Sequence, residues 1–221
     1  MLGDLLPVNE VFESLQGEGH FTGTPSTFIR LQGCPVGCPW CDTKYTWPVE
    51  PADERPWPKI LAKTEQTNST YARLTISQLI DRASAKHIVV TGGEPAQYDL
   101  MSLSATLIEL GRRVQIETSG TFPLRVDSRA WVTVSPKLAM PGGLTVKAEA
   151  LNRADEIKHV VGKPADVEAL KLLLDALPER KAIVYVQPLS GSAKATRLCT
   201  EAADANGWRV SIQTHRLIGV R

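Results

Sequence analysis

Seven short apolar runs recur along the chain with helix-period stretches between several of them, and this alternation limits the possible folds more than any other feature. STFIRLQG, KHIVVTGG, RVQIETSG, AWVTVSPK, EIKHVV, KAIVYVQP and WRVSIQTH are rich in β-branched residues and end in polar or glycine-rich turns, so each predicts a strand. Ser77 to Ser84, Asp99 to Leu110, Ala165 to Leu177 and Ala193 to Asn206 have helical spacing, the last stopped by Gly207. Strands alternating with helices predict parallel βαβ units, and runs this nearly continuous predict strands covered on both faces. The stretch from Thr118 to Trp131 has little helical signal. About six units fall short of the eight-unit barrel, which typically takes ~250 residues. The expected fold class is therefore α/β, an incomplete (β/α)6-type TIM-like barrel. With 221 residues, 43% of them hydrophobic, a single domain over 1–221 is expected.

Thr43 to Leu74 departs from this pattern. It holds Pro48, Pro51, Pro56 and Pro58 with many polar residues, and predicts an irregular insertion, either a tolerated surface loop or a lid or partner-binding element. Charge narrows the partners. Lys plus Arg number 25 against 24 Asp plus Glu, so no field gathers a polyanion, and nucleic acid is not an expected partner. MLGDLLPVNEVF lacks a basic segment before an apolar one, and no stretch approaches the ~18 apolar residues of a spanning helix. No membrane partner is expected, and a cytoplasmic location is.

Three of the four cysteines lie within QGCPVGCPWCDT, which points to reduced, metal-binding thiols rather than disulfides. Pro35, Gly37 and Pro39 disfavour a helix there, so Cys34, Cys38 and Cys41 belong to a loop able to turn three sulfurs toward one centre. Thiolates are the ligands that iron-sulfur clusters select, and three of them leave one iron of a 4Fe-4S cluster free. Structural zinc is the alternative, with His20, His87, His159 or His215 as the fourth ligand, although no second close pair of ligands is present. Cys199 sits in a helix-period stretch and reads as a core residue.

Cys-x3-Cys-x2-Cys with an aromatic residue before the last cysteine resembles the signature of the radical S-adenosylmethionine (SAM) superfamily. The resemblance implies a cluster whose open iron chelates the methionine part of SAM, and cleavage of SAM to a 5′-deoxyadenosyl radical. It implies cofactor contacts at Trp40, Cys41 and Asp42. Thr91-Gly92-Gly93-Glu94-Pro95 closes the HIVV run at a strand's carboxyl end, where barrels assemble their sites. Its adjacent glycines allow close approach of backbone to a ligand. It resembles the superfamily's GGEP motif, which implies a contact at Gly93. Glu117 to Gly120 and Ser135-Pro136-Lys137 close strands on the same rim; the latter by resemblance also contacts the cofactor. Glu117 reads equally as a structural carboxylate, and Gln187-Pro188 has similar standing.

Glu13 to Gly19 reads as a glycine turn before the first core strand, and Arg30, within that strand, alone would be a snorkelling cation. Together, SLQGEG, FIRLQGCPVGCPWCDT, TGGEP, ETSG and VSPK, in this order and reaching Gln213-Thr214-His215, resemble the 7-carboxy-7-deazaguanine synthases. That family resemblance implies ring contraction of 6-carboxy-5,6,7,8-tetrahydropterin with loss of ammonia. It implies substrate binding at Leu15, Gln16, Gly17, Arg30 and Thr91, and a Mg2+ ligand at Thr43, which is otherwise a turn hydroxyl. It also implies an electron donor such as flavodoxin or ferredoxin, and a homodimer. Arg30 is a suitable fork for a carboxylate, and a threonine hydroxyl is a hard ligand that magnesium accepts. Two rivals remain at this level, a glycyl-radical activase acting on a protein and a zinc-stabilised binding module.

Overall fold

The computed structural model describes residues 5–63, 68–177, 179 and 181–220. Its strands are β1 (Leu6–Leu15), β2 (Pro25–Leu31), β3 (Ala72–Leu74), β4 (His87–Gly92), β5 (Arg113–Thr118), β6 (Trp131–Val134), β7 (Glu156–Val161), β8 (Ile183–Pro188) and β9 (Arg209–Val210). They form one sheet in the order β3-β1-β2-β4-β5-β6-β7-β8-β9. From β2 to β9 every pairing is parallel. β1 lies antiparallel to both β2 and β3. The helices are α1 (Trp57–Leu61), α2 (Ile76–Ile80), α3 (Met101–Glu109), α4 (Ala148–Arg153), α5 (Pro164–Asp175), α6 (Ala193–Asn206) and α7 (Thr214–Leu217).

The expected parallel strands are all present, with three corrections. β1 was not expected, because Asn9, Glu10 and Glu13 interrupt its apolar pattern; Glu13 to Leu15 therefore end a strand rather than form a turn. The last run shrinks to Arg209–Val210, and Thr214–Leu217 turns helical. The insertion is not wholly irregular, since α1, β3 and two 3-10 turns lie within it; its residues 64–67 lie outside the described residues. The expected helices hold, α6 with the predicted bounds. Ser192 Oγ accepts from Ala195 N at its start, and Gly207 at φ 65° ends it. Thr75 and Gln78 close a capping box that starts α2 just before Ser77.

The strands are also not apolar on both faces. Val114, Ile116, Val132, Val134, Ile157 and Val161 join the core cluster, against which α3, α4 and α5 pack. Each such side chain contributes about 1.5–3 kcal/mol when fully buried. At the alternate positions stand Gln115, Glu117, Thr133, Glu156, Lys158 and Gln187, which a period-2 strand turns to the opposite face. Nearly all of them are buried, so they bond one another. Gln115 Nε2 donates to Glu117 Oε1 at 2.9 Å and Thr133 Oγ1 at 3.1 Å, and His87 Nε2 meets Gln115 Oε1 at 2.9 Å.

That polar face is concave. β1 and β8 stand six inter-strand steps apart, ~29 Å in a flat sheet. Yet Gln187 Nε2 on β8 donates to Glu18 Oε1, three residues beyond β1, at 3.3 Å. Thr214 N donates to Gly17 O at 2.9 Å, and Gly19 N to Ser211 Oγ at 3.0 Å. The sheet therefore curls into a partial barrel whose open seam is bridged by two loop segments rather than by a strand ladder. The 3-10 turn Gly19–Phe21 plugs one end, with His20 stacked on Trp131 at 4.7 Å and Phe21 edge-on to His87 at 4.5 Å. Trp131 and His87 begin β6 and β4, so the mouth left open is the carboxyl end of the parallel strands.

Gly19 has φ 65°, and a Cβ there would lie 2.0 Å from Glu156 Oε1. That oxygen has no hydrogen-bond partner among the described residues, whereas Oε2 accepts from His20 N at 3.0 Å. Burial pushes the Glu156 carboxyl up to about 7 from 4.5, against the pull of Lys158. The native protein thus holds this proton more tightly than the unfolded chain. Its contribution to stability is full below about pH 4.5 and is lost as pH rises through about 7. In anaerobic urea titrations, Glu156→Gln should gain stability relative to the parent between about pH 4.5 and 7, at up to about 1.4 kcal/mol per pH unit. A constant difference across that window would refute it.

Candidate active site

The cysteine loop leaves the carboxyl end of β2 and is held from both sides. Gly33 N donates to Thr46 O at 2.6 Å and Cys34 N to Trp47 O at 3.1 Å. The buried Gln32 amide donates to Tyr45 O and Pro48 O at 2.9 and 2.7 Å, and its oxygen accepts from Asn9 Nδ2 at 2.8 Å. Asn9 Nδ2 also donates to Asn68 O and Thr70 O at 3.1 and 3.2 Å, so two buried amides satisfy carbonyls of a segment with little regular structure to do so. On the other side, Gly93 N donates to Leu31 O at 3.0 Å and Glu94 N to Gly33 O at 2.8 Å. A Cβ on Gly93 would lie 2.1 Å from Gly33 O. The glycine at this position is required by its contact with the cysteine loop.

Glu94 is buried and accepts from Ala96 N at 3.0 Å, Ser119 N at 2.7 Å and Thr118 Oγ1 at 2.5 Å. One carboxylate therefore ties the TGGEP turn to the ETSG turn of the next strand. Ser135 N donates to Thr118 O at 2.7 Å, which adds the SPK turn to the same rim.

Cys34, Cys38, Trp40, Cys41, Asp42 and Gly93 line a cavity of about 480 Å³ together with Ser135 and Lys137. Pro136 lies in an adjoining hollow with Trp40 and Lys137. Burial pushes the Cys34 thiol up to about 11, with the charges of Glu94, Cys38 and Cys41 adding to the effect, and raises that of Cys38 against the pull of Lys137. These thiols need a bound cation's charge to become thiolates. Among the described residues no three His, Cys, Asp or Glu side chains gather around a single ion, as zinc would need. The histidines considered as a fourth ligand are used elsewhere. His20 lies in the plug and His87 packs against it, His159 lines the hollow beside Pro136, and His215 lies against Gly17. Cys199 is buried in the core cluster. Three thiols lining one cavity suit a cluster, which takes its protein ligands on separate irons and would keep one iron free.

A second cavity, about 290 Å³, holds Leu15, Gln16, Gly17, Arg30, Thr43 and Thr91. Glu18, Asp42, Glu117 and Lys137 line both cavities, so the two adjoin. Arg30 is not a free surface cation. Its Nε donates to Glu10 Oε1 at 2.6 Å, and its guanidinium lies 5.5 Å over Phe12, which stacks on Phe28. Thr43 Oγ1 is 3.5 Å from Cys41 Sγ. α7 supplies a wall that sequence reasoning did not foresee. His215 packs so closely on Gly17 that a Cβ there would lie 2.0 Å from its Nδ1, and Arg216 reaches Asp42 Oδ2 at 2.6 Å. Glu18, Lys158 and Gln213 were missed as well. The signal for Lys158 was available, because Glu156 and Lys158 are charges at alternate positions of a strand.

The profile of the Radical SAM superfamily matches residues 28–187, and the chain belongs to that superfamily. It is 49% identical over 219 residues to the 7-carboxy-7-deazaguanine synthase of Escherichia coli strain K12, covering 97% of this chain and 98% of that protein. The synthase of Buchnera aphidicola subsp. Schizaphis graminum is 39% identical, at 97% and 99% coverage. The crystal structure of QueE from Escherichia coli superposes with a TM-score of 0.90 at 48% identity, covering 95% of this chain and 94% of that one. Within the superfamily the chain is a member of the 7-carboxy-7-deazaguanine synthase family.

Gly93→Ala should leave the circular dichroism native but displace the cysteine loop, and iron bound after reconstitution should fall severalfold. Full iron content in this variant would contradict the packing role given to Gly93.

Proposed function

We propose that this chain converts 6-carboxy-5,6,7,8-tetrahydropterin to 7-carboxy-7-deazaguanine with loss of ammonia, a step of queuosine and other 7-deazapurine synthesis. The observation that supports this best is the pair of adjoining cavities, one walled by three thiols and the other holding an arginine aimed by Glu10 and Phe12. The family implies a 4Fe-4S cluster and SAM, which when bound supply the 5′-deoxyadenosyl radical that takes hydrogen from C6 of the pterin. Cys34, Cys38 and Cys41 would hold the cluster. Trp40, Cys41, Asp42, Gly93, Ser135, Pro136 and Lys137 would bind SAM, with Lys137 able to meet its carboxylate.

In the second cavity, Arg30 offers a planar fork to the substrate carboxylate. Leu15, Gln16, Gly17 and Thr91 would read the pterin edge. Thr43 would ligate Mg2+, its shell completed by substrate and water. The whole of 1–221 would act as one catalytic domain in a cytoplasmic homodimer, reduced by flavodoxin or ferredoxin and binding no nucleic acid. Among the described residues no helix is long and apolar enough to cross a membrane.

Reconstituted protein given dithionite, SAM, Mg2+ and the carboxypterin without oxygen should release 7-carboxy-7-deazaguanine, read by mass, and Cys38→Ala should release none. 5′-Deoxyadenosine without deazapurine would sink the substrate assignment. Replacing Thr43 by valine should abolish stimulation by Mg2+ and lower kcat/KM about tenfold, by analogy with other lost metal-shell contacts. Unaltered magnesium dependence would remove Thr43 from the metal's shell.

A further inference from the structure

Lys158 is the most deeply buried charge in the wall of the second cavity, with its side chain 5% exposed. Its Nζ donates to Glu18 Oε2 at 2.6 Å and to Glu117 Oε2 at 3.1 Å. The two carboxylates come from opposite parts of the curl, one just beyond β1 and the other on β5, while the lysine stands on β7. Their remaining oxygens are also directed. Glu18 Oε1 accepts from Gln213 Nε2 at 2.6 Å, and Glu117 Oε1 from Gln115 and Gln16 at 2.9 and 3.3 Å. Both carboxylates lie where the two cavities meet. A lysine in a strand that also bears Ile157 and Val161 would be costly as mere packing.

We propose that Lys158 is a positioning residue for the ring contraction, tying Glu18 and Glu117 into one rigid acceptor wall against which the pterin docks and supplying the positive charge that Glu117 needs there. The inference rests on the reading given under Proposed function.

The charges that face this group are Glu18 before the plug, Glu117 on β5, Glu156 on β7, Lys137 after β6 and His215 on α7. Burial works against ionised Glu18, but Lys158 and Gln213 hold its carboxyl down at about 2. Burial leaves the Glu117 carboxyl raised, with Lys158 lowering it and the Glu18 charge raising it further. Glu117 is therefore the member of the pair whose carboxyl stays raised, and the two neighbours push it in opposite directions. A residue that only filled space would have no such signature.

The test is the pH profile of kcat/KM for the carboxypterin in three reconstituted holoenzymes, the parent, Lys158→Met and Glu18→Gln, with cluster absorbance and SAM affinity followed in parallel. Product from the parent establishes the underlying reading, and its absence would sink that reading and this inference together. Given product, Lys158→Met should retain its cluster and SAM affinity. Its KM should rise about tenfold, and its acid limb should move up by about one pH unit or more. Glu18→Gln should move the acid limb down, because it removes the negative neighbour and leaves the ammonium to Glu117 alone. Lys158→Arg should restore the parent's limb in part. Should Lys158→Met fail to fold, the downward shift in Glu18→Gln carries the test by itself. An acid limb that stays in place in the folded variants, whatever happens to kcat, overturns the proposal.

Discussion

A parallel sheet covered on both faces has to satisfy every polar side chain that it carries, and in this chain one face of the sheet is made of them. Gln115, Glu117, Thr133, Glu156, Lys158 and Gln187 stand at alternate strand positions, opposite valines and isoleucines that pack under the helices. Flat, that face would need water. Curled, it bonds to itself and to Gln16 and Glu18 across the seam. The same bonds thus determine the curvature of the barrel and the chemistry inside it. The apolar face supplies the stability that offsets the desolvation of the polar one.

From this constraint the position of the site follows. The plug at Gly19–Phe21 seals the end where the parallel strands begin, so ligands enter where they finish. At that end the cysteine loop cannot support itself, because Pro35, Gly37 and Pro39 deny it a helix. It leans on Gly93 and Glu94 on one side and on the insertion's carbonyls, through Gln32 and Asn9, on the other. The insertion is therefore part of the loop's support rather than a detachable surface element. Glu94 in turn fixes the ETSG turn, and through Thr118 the SPK turn, so the rim is one bonded unit.

Much of this was legible in the sequence. β-Branched runs ending in polar or glycine-rich turns marked the six long parallel strands, and the cysteine spacing with its prolines marked a metal-binding loop at a strand end. What was not legible has identifiable causes. β1 escaped because Asn9 and Glu10 are buried polar residues whose partners, Gln32 and Arg30, lie twenty or more positions away. The strands read as continuously apolar because inward glutamines and a lysine were masked by the valines and isoleucines between them. Glu18, Gln213 and His215 reach the site only because the seam brings the two ends of the chain together, which no local pattern encodes. The motifs identified the chemistry, while the long-range bonds identified the residues that shape the pocket.

The thiol-lined cavity and the arginine-bearing cavity adjoin, an arrangement in which a radical formed in the first would act on a pterin held in the second. The most direct measurement uses carboxypterin deuterated at C6 with reconstituted protein and unlabelled SAM, and weighs the 5′-deoxyadenosine or recovered SAM by mass. Deuterium should appear in the adenosyl 5′ position together with release of 7-carboxy-7-deazaguanine. Deazapurine formed with no deuterium in either species would contradict that arrangement.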